Sequence, residues 1–215
     1  MKTVVVPFRD RAPQLRALLP FLAKHFDRVV VAEQALGKPF NRGAIKHAGA
    51  LFAAAGPDTT LYFHDVDLLP GPQFPGYPLI PPACSRVVHL YGHRHCLGGI
   101  VGMTARAYDK IGGFGTDRWS WGGEDTALQA KVLAAGLKID RSGFTLRYQN
   151  DAAIQELDSD GAPMRGAEAR RRFIAEYEKR ERADQGDAVA PEPLELQSTG
   201  VLHSPESGLY HGIFA

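Results

Sequence analysis

The chain has 215 residues, 44% hydrophobic and 23% charged, which suits one globular domain with a sizeable core and excludes disordered, collagen-like and heptad-repeat classes. Lys plus Arg number 25 against 24 Asp plus Glu, a net charge of +1, so the basic surplus expected of a nucleic-acid-binding protein is missing. Two cysteines, Cys84 and Cys96, make no disulfide framework, and there is neither a membrane-length apolar run nor the apolar stretch of a signal peptide, so the expectation is a cytoplasmic chain with no membrane span.

Residues 3–6 read as a short β-branched strand. Leu15, Leu18, Leu19, Leu22 and Phe26 follow at helical spacing, with Pro20 expected to kink or split the helix. Residues 29–31 form a second strand. Asn41 suits the N-cap of a helix whose apolar stripe is Ile45, Ala48, Gly49 and Phe52, stopped at Gly56 and Pro57. Residues 61–63 make a third strand that ends in acidic residues. The alternation predicts an α/β layer fold, with a mixed, mostly parallel sheet flanked by helices. Six prolines between Pro70 and Pro82 mark a loop. Strands are expected at 87–90 and 100–103, a helix at 125–135 stopped by Gly136, and short strands at 137–139 and 144–147. Residues 151–166 read as an exposed polar loop. A densely charged helix is expected at 167–182, then a linker at 183–193, and an edge strand within the last twenty residues.

Four segments carry residues suited to chemistry. In FHDVDLLP (63–70), Asp65 and Asp67 stand two apart at a strand end, which period-two geometry places on one side. Two carboxylates at the ligand-binding edge of an α/β sheet suit Mg²⁺ or Mn²⁺; two solvated aspartates are the plainer alternative. In WSWGGEDTAL (119–128), Trp119 and Trp121 flank a serine and precede Gly122, Gly123, Glu124 and Asp125. Flat indole faces beside carboxylates suit a sugar, whose C–H faces stack while acceptors take the hydroxyls. The segment VPFRDR (6–11) puts Arg9 and Arg11 after the first strand, where they either hold a nucleotide or are solvated. In PFNRGAIKHAG (39–49), Arg42 opposes the helix dipole just inside the helix start. His64, His93 and His95 fall in no zinc spacing, and neither a serine-hydrolase elbow nor a Walker A loop occurs.

Taken in order, PFRDR, FNRG, FHDVDLLP, the double glycine at 98–99 and WSWGGED resemble the β-1,4-galactosyltransferase family over residues 3–151. The resemblance implies a GT-A-type fold and inverting transfer of a hexose, galactose or an N-acetylhexosamine, from a UDP-sugar to a glycan or glycoconjugate hydroxyl, with Mn²⁺ or Mg²⁺. By the same resemblance Pro7, Phe8, Arg9, Arg11, Phe40 and Arg42 contact the uridine nucleotide. Asp67 binds metal, with Asp65 and Val66 beside the nucleotide. Trp121 and Gly122 belong to a mobile loop, Glu124 binds sugar and Asp125 is the catalytic base. Residues 1–152 would be the catalytic domain, and 153–215 a C-terminal extension packed on it.

Three segments depart from the family pattern. Tyr148 stands where the family has a metal-binding histidine. Thr126 and Ala127 replace an acidic run near the acceptor. Cys96 replaces a tyrosine beside the donor sugar, leaving room for an N-acetyl group. The lost histidine keeps open a non-catalytic nucleotide-sugar or glycan-binding module, and the bare D-x-D a metal-dependent phosphohydrolase.

Overall fold

Val4, Val5 and Val6 are each fully buried, so strand β1 (Lys2–Phe8) is covered on both faces. A strand with no polar face belongs inside a sheet between helical layers, and that is its place. The computed structural model describes residues 1–35, 38–54, 56–119, 122–164, 171, 175, 198–204 and 209–214. The elements after β1 are α1 (Ala12–His25), β2 (Arg28–Gln34), α2 (Arg42–Ala53), β3 (Thr60–His64), β4 (Leu68–Pro70), β5 (Arg86–Gly92) and β6 (Ile100–Thr104). Then come α3 (Ala105–Lys110), α4 (Glu124–Ala134), β7 (Lys138–Asp140), β8 (Thr145–Leu146), β9 (Ile154–Glu156), β10 (Ser198–Ser204) and β11 (Leu209–Phe214).

The main sheet runs β10-β11-β2-β1-β3-β6-β5-β7, with β8 also beside β5. Pairings β1–β2, β1–β3, β2–β11, β5–β7 and β5–β8 are parallel; β3–β6, β5–β6 and β10–β11 are antiparallel. One face packs Val5, Val30, Leu61, Phe63 and Met103 against Ile45 and Ala48 of α2 and Leu128 and Val132 of α4. The other packs Val4, Val6, Val29, Val31 and Tyr62 against Leu18 and Leu22 of α1 and against Tyr77 and Ile80 from the proline-rich segment. The expected α/β layer fold, a mixed, mostly parallel sheet flanked by helices, is thus present.

Four local expectations change. Helix α1 is a single helix from Ala12 to His25 with Pro20 inside it; Pro20 lies on the exposed side, so the carbonyl that loses its N–H partner can be hydrated. The short helix α3, capped by Thr104, whose hydroxyl accepts from the Ala107 N–H at 3.1 Å, had no sequence expectation. Residues 151–166 are not simply an exposed loop. Strand β9 pairs antiparallel with β4, and Ala153, Ile154, Glu156, Leu157 and Met164 are buried. The tail supplies two strands rather than one: β11 pairs with β2, and β10 takes the edge. The charged helix expected at 167–182 and the linker at 183–193 lie outside the described residues, apart from Arg171 and Ala175. Among the described residues no helix is long and apolar enough to cross a membrane.

Candidate active site

Strand β2 lies on one side of β1 and β3 on the other, so the order of the parallel strands reverses at β1 and opens a crevice beyond their C-terminal ends. Strands β3 and β5 end at this edge, and β6 begins there opposite His64. The loops leaving them, with the first turns of α2 and α4, enclose a cavity of about 530 Å³. Asp65, Asp67, Glu124 and Asp125 line it, with Arg42, Arg147, His93, Cys96, Gly98 and Tyr148. Asp65 and Asp67 follow β3 in a turn, so it is this turn, not strand period, that aims both at one space. His64 fixes the turn: its Nδ1–H donates to the Asp65 carbonyl at 2.8 Å.

Helix α2 starts at a fully buried asparagine. Asn41 Oδ1 accepts from the Ala44 N–H at 2.9 Å, its Nδ2 donates to the Thr116 carbonyl at 2.8 Å, and its own N–H donates to Gln34 Oε1 at 2.7 Å. That anchoring places Arg42 with its Nε 3.0 Å from Glu124 Oε1, which offsets the unfavourable dipole of a cation at a helix start. One turn on, Lys46 is buried and puts its Nζ 3.0 Å from Asp125 Oδ1 and 3.6 Å from Asp65 Oδ1. Gly123 begins α4 with φ of 87°, a left-handed backbone that glycine adopts freely. The Leu97 N–H donates to the Asp125 carbonyl at 3.1 Å, and the Asp65 N–H to Gly99 at 3.0 Å, so the loop before β6 is tied to both acidic segments.

The carboxylates differ in charge preference. Burial raises Asp125 most; Lys46 opposes this, while Glu124 and Asp65 add to it, and its pKa stands at about 6. Burial also works against ionised Asp65, but Lys46, Arg42 and Arg147 outweigh it and hold this carboxyl below its ordinary value. Burial, then the Asp65 charge, raises Asp67. Across the cavity Arg147 makes a two-point ion pair with Glu156, Nε to Oε1 at 2.8 Å and Nη2 to Oε2 at 3.2 Å. The Tyr91 hydroxyl donates to Glu156 Oε1 at 2.6 Å and accepts the Tyr148 N–H at 3.2 Å.

Of the residues expected from sequence, Arg42, Asp65, Asp67, Cys96, Gly122, Glu124, Asp125 and Tyr148 line this one cavity. Pro7, Phe8, Arg9, Arg11, Phe40 and Val66 do not line it. Pro7 and Phe8 end β1, Arg11 is the N-cap of α1, Val66 is buried, and the Arg9 guanidinium lies 4.9 Å over the Phe40 ring. Trp121 lies outside the described residues, and with it the centre of the expected mobile loop. Sequence reasoning missed Lys46, Arg147, Glu156 and Tyr91. Lys46 gave a signal, since it breaks the apolar side of α2 next to Ile45; Glu156 gave none, because its segment is polar.

Asp67 fits a divalent cation. Its carboxylate accepts no hydrogen bond from the described residues, and Asp65 repels its charge, a conflict that a bound cation relieves. No group of three or more His, Cys, Asp or Glu is arranged for a metal among the described residues, so the remaining positions would fall to ligand oxygens and water. Burial, offset in part by Arg147, holds the Tyr148 hydroxyl up at about 12, so it stays a neutral phenol at the family histidine position.

A family model described as the N-terminal domain of galactosyltransferase matches residues 83–152. Beta-1,4-galactosyltransferase 5 from Sus scrofa and from Homo sapiens are each 32% identical over 161 residues, covering 68% of this chain and 42% of the relative. Human beta-1,4-galactosyltransferase 3 is 32% identical over 152 residues, covering 64% of this chain and 39% of the relative. The chain therefore spans about two-fifths of these relatives' length. A crystal structure of a mutant Drosophila β-1,4-galactosyltransferase 7 with manganese, UDP-Gal and xylobiose superposes with a TM-score of 0.65 at 19% identity, covering 99% of this chain and 92% of that one. The fold is thus that of the galactosyltransferases.

Proposed function

The chain belongs to the β-1,4-galactosyltransferase family, and from that premise we propose a metal-dependent, inverting glycosyltransferase that moves a hexose from a UDP-sugar to a carbohydrate hydroxyl. The observation that carries this is one cavity of about 530 Å³ onto which Asp67 and Asp125 both open, with Asp65 and Glu124. The manganese, UDP-Gal and xylobiose held by the Drosophila relative support cation, donor and acceptor class in turn.

In this reading the D-V-D segment is the cation motif. Asp67 would hold Mn²⁺ or Mg²⁺, which when bound supplies positive charge for the diphosphate leaving group. Asp125 takes the proton of the acceptor hydroxyl while that oxygen bonds to the anomeric carbon; the bond from this carbon to the diphosphate oxygen breaks, and UDP leaves with the electron pair. With one base acting on the face opposite the diphosphate, the centre inverts. A carboxyl of pKa about 6 is ionised at neutral pH yet more basic than an ordinary aspartate, which suits proton abstraction. Glu124, held by Arg42, offers acceptors to sugar hydroxyls. Arg42, with Arg9 and Phe40 outside the cavity, faces the nucleotide side. Cys96 on the wall leaves room for an N-acetylhexosamine as well as galactose.

The test is UDP release from a panel of UDP-sugars with acceptor saccharides and Mn²⁺ or Mg²⁺. Asp125→Asn should lower turnover about 10²- to 10⁴-fold with UDP binding kept; full transfer by that variant would sink the assignment. Tyr148, a neutral phenol at the family histidine position, favours a second reading as a non-catalytic nucleotide-sugar or glycan-binding module. Calorimetric binding of UDP without release of UDP from any donor would establish that instead. A reduced, cytoplasmic setting is also proposed, supported by Cys84 and Cys96 both being free thiols. Thiol alkylation in intact cells should label both; a blocked pair would contradict it.

A further inference from the structure

Lys46, in α2, is the one buried lysine among the described residues, 2% exposed. A buried ammonium persists only where charge and geometry compensate its lost hydration. Here its Nζ donates to Asp125 Oδ1 at 3.0 Å, lies 3.6 Å from Asp65 Oδ1, and sits 5.1 Å from the centre of the Phe114 ring. Asp125 is on the first turn of α4, whereas Asp65 follows β3. The same cation therefore joins the two acidic segments that face each other across the cavity.

The other oxygen of Asp125 lies close to Gly98. A Cβ placed on Gly98 would fall 2.4 Å from Asp125 Oδ2, so that oxygen rests against bare glycine backbone at the cavity wall.

We propose that Lys46 is a positioning residue of the transfer site: by holding Asp125 Oδ1 and tethering it to Asp65, it turns Oδ2 toward the acceptor hydroxyl and sets its distance from the donor. This rests on the glycosyltransferase reading. The charged and titratable groups around Asp125 are Lys46 from α2, its neighbour Glu124, Asp65 after β3, Arg42 at the start of α2, and Cys96 in the loop after β5. Lys46 opposes the burial that disfavours the ionised base, so removing it makes Asp125 hold its proton to higher pH.

The experiment compares wild type, Lys46→Met, Asp125→Asn and Lys46→Met/Asp125→Asn by UDP release, pH profile and thermal unfolding. Wild-type turnover tests the enzymatic reading by itself. Given that turnover, Lys46→Met should lose about a hundredfold in kcat, keep its donor KM within about threefold, and move the acid limb up by about one to three pH units. A folded Lys46→Met with unchanged kcat and acid limb overturns the proposal, because a purely space-filling lysine predicts that result. If Lys46→Met does not fold, recovery of folding in the double variant supports the pairing, and continued unfolding overturns it. If no donor is turned over by wild type, the enzymatic reading fails. The tie to Asp125 is then judged by unfolding: a smaller combined effect than the sum of the single variants supports it, and simple additivity overturns it.

Discussion

Asp125 is held between a cation and a glycine, and the consequences of that placement are measurable. Its pKa is raised from 3.8 to about 6, chiefly by burial. Between those values the folded chain keeps a proton that the unfolded chain has released, so this group's contribution to stability falls as pH rises through the window. Activity moves the opposite way, since only the carboxylate can accept a proton. The kcat profile should therefore show an acid limb near pH 6, absent from the residual rate of Asp125→Asn. Gly98→Ala provides a steric test. The added methyl would sit 2.4 Å from Asp125 Oδ2, forcing the carboxylate off its position. Turnover should drop about a hundredfold while UDP binding, read by calorimetry, stays close to wild type; equal rates would show that Asp125 has slack at this wall.

Helix α2 is the element on which the site depends most, since it carries Arg42 to Glu124 and Lys46 to Asp125. Its register is set by Asn41, which caps the helix and bonds to Gln34 and to the carbonyl of Thr116. Asn41→Ala should cost about 1 kcal/mol for the cap, plus a further cost for leaving the Thr116 carbonyl short of the side-chain donor it now has; the bond to Gln34 comes from the backbone N–H and is kept. Denaturant unfolding should show the loss, and turnover should fall further than stability alone explains because both basic residues shift. On the far wall the short strand β9 matters through Glu156, which Arg147 and Tyr91 clamp. Glu156→Gln leaves Arg147 short of a counter-charge next to Asp67. The expected result is weaker Mn²⁺ activation, read as a higher metal concentration for half-maximal rate.

At the scale of the whole molecule, the C-terminal hairpin closes the sheet. Residues of β11 pair with β2 along Val29 to Gln34, covering hydrogen-bonding groups that would otherwise form a long open edge. Truncation before Ser198 should bare that edge and drive self-association, seen as a concentration-dependent mass by light scattering; a stable monomer would show β2 to be protected by other means. The central elements were legible because their signals are local. Consecutive buried valines marked β1 and β2, and 3.6-residue spacing and Asn41 marked α2. The D-V-D and W-G-G-E-D segments named most of the acidic residues that meet in the cavity. Other features answer to distant partners. Pro20 looked like a break, but one missing N–H on an exposed face does not outweigh the packing of Leu18 and Leu22. Residues 151–166 looked like a solvated loop because the strand they form is only three residues long and its buried Glu156 reads as polar. By itself, the sequence determined the α/β class, the site's acidic chemistry and the family, since periodicity and short motifs depend on neighbours along the chain. Only the tertiary structure decided that Lys46, Arg147 and Glu156 belong to the site. A buried charge is stabilised by partners beyond its own element, 79 residues away for Lys46 and Asp125 and on strand β9 for Arg147, which pairs with Glu156, and no local pattern records which ones the fold brings together.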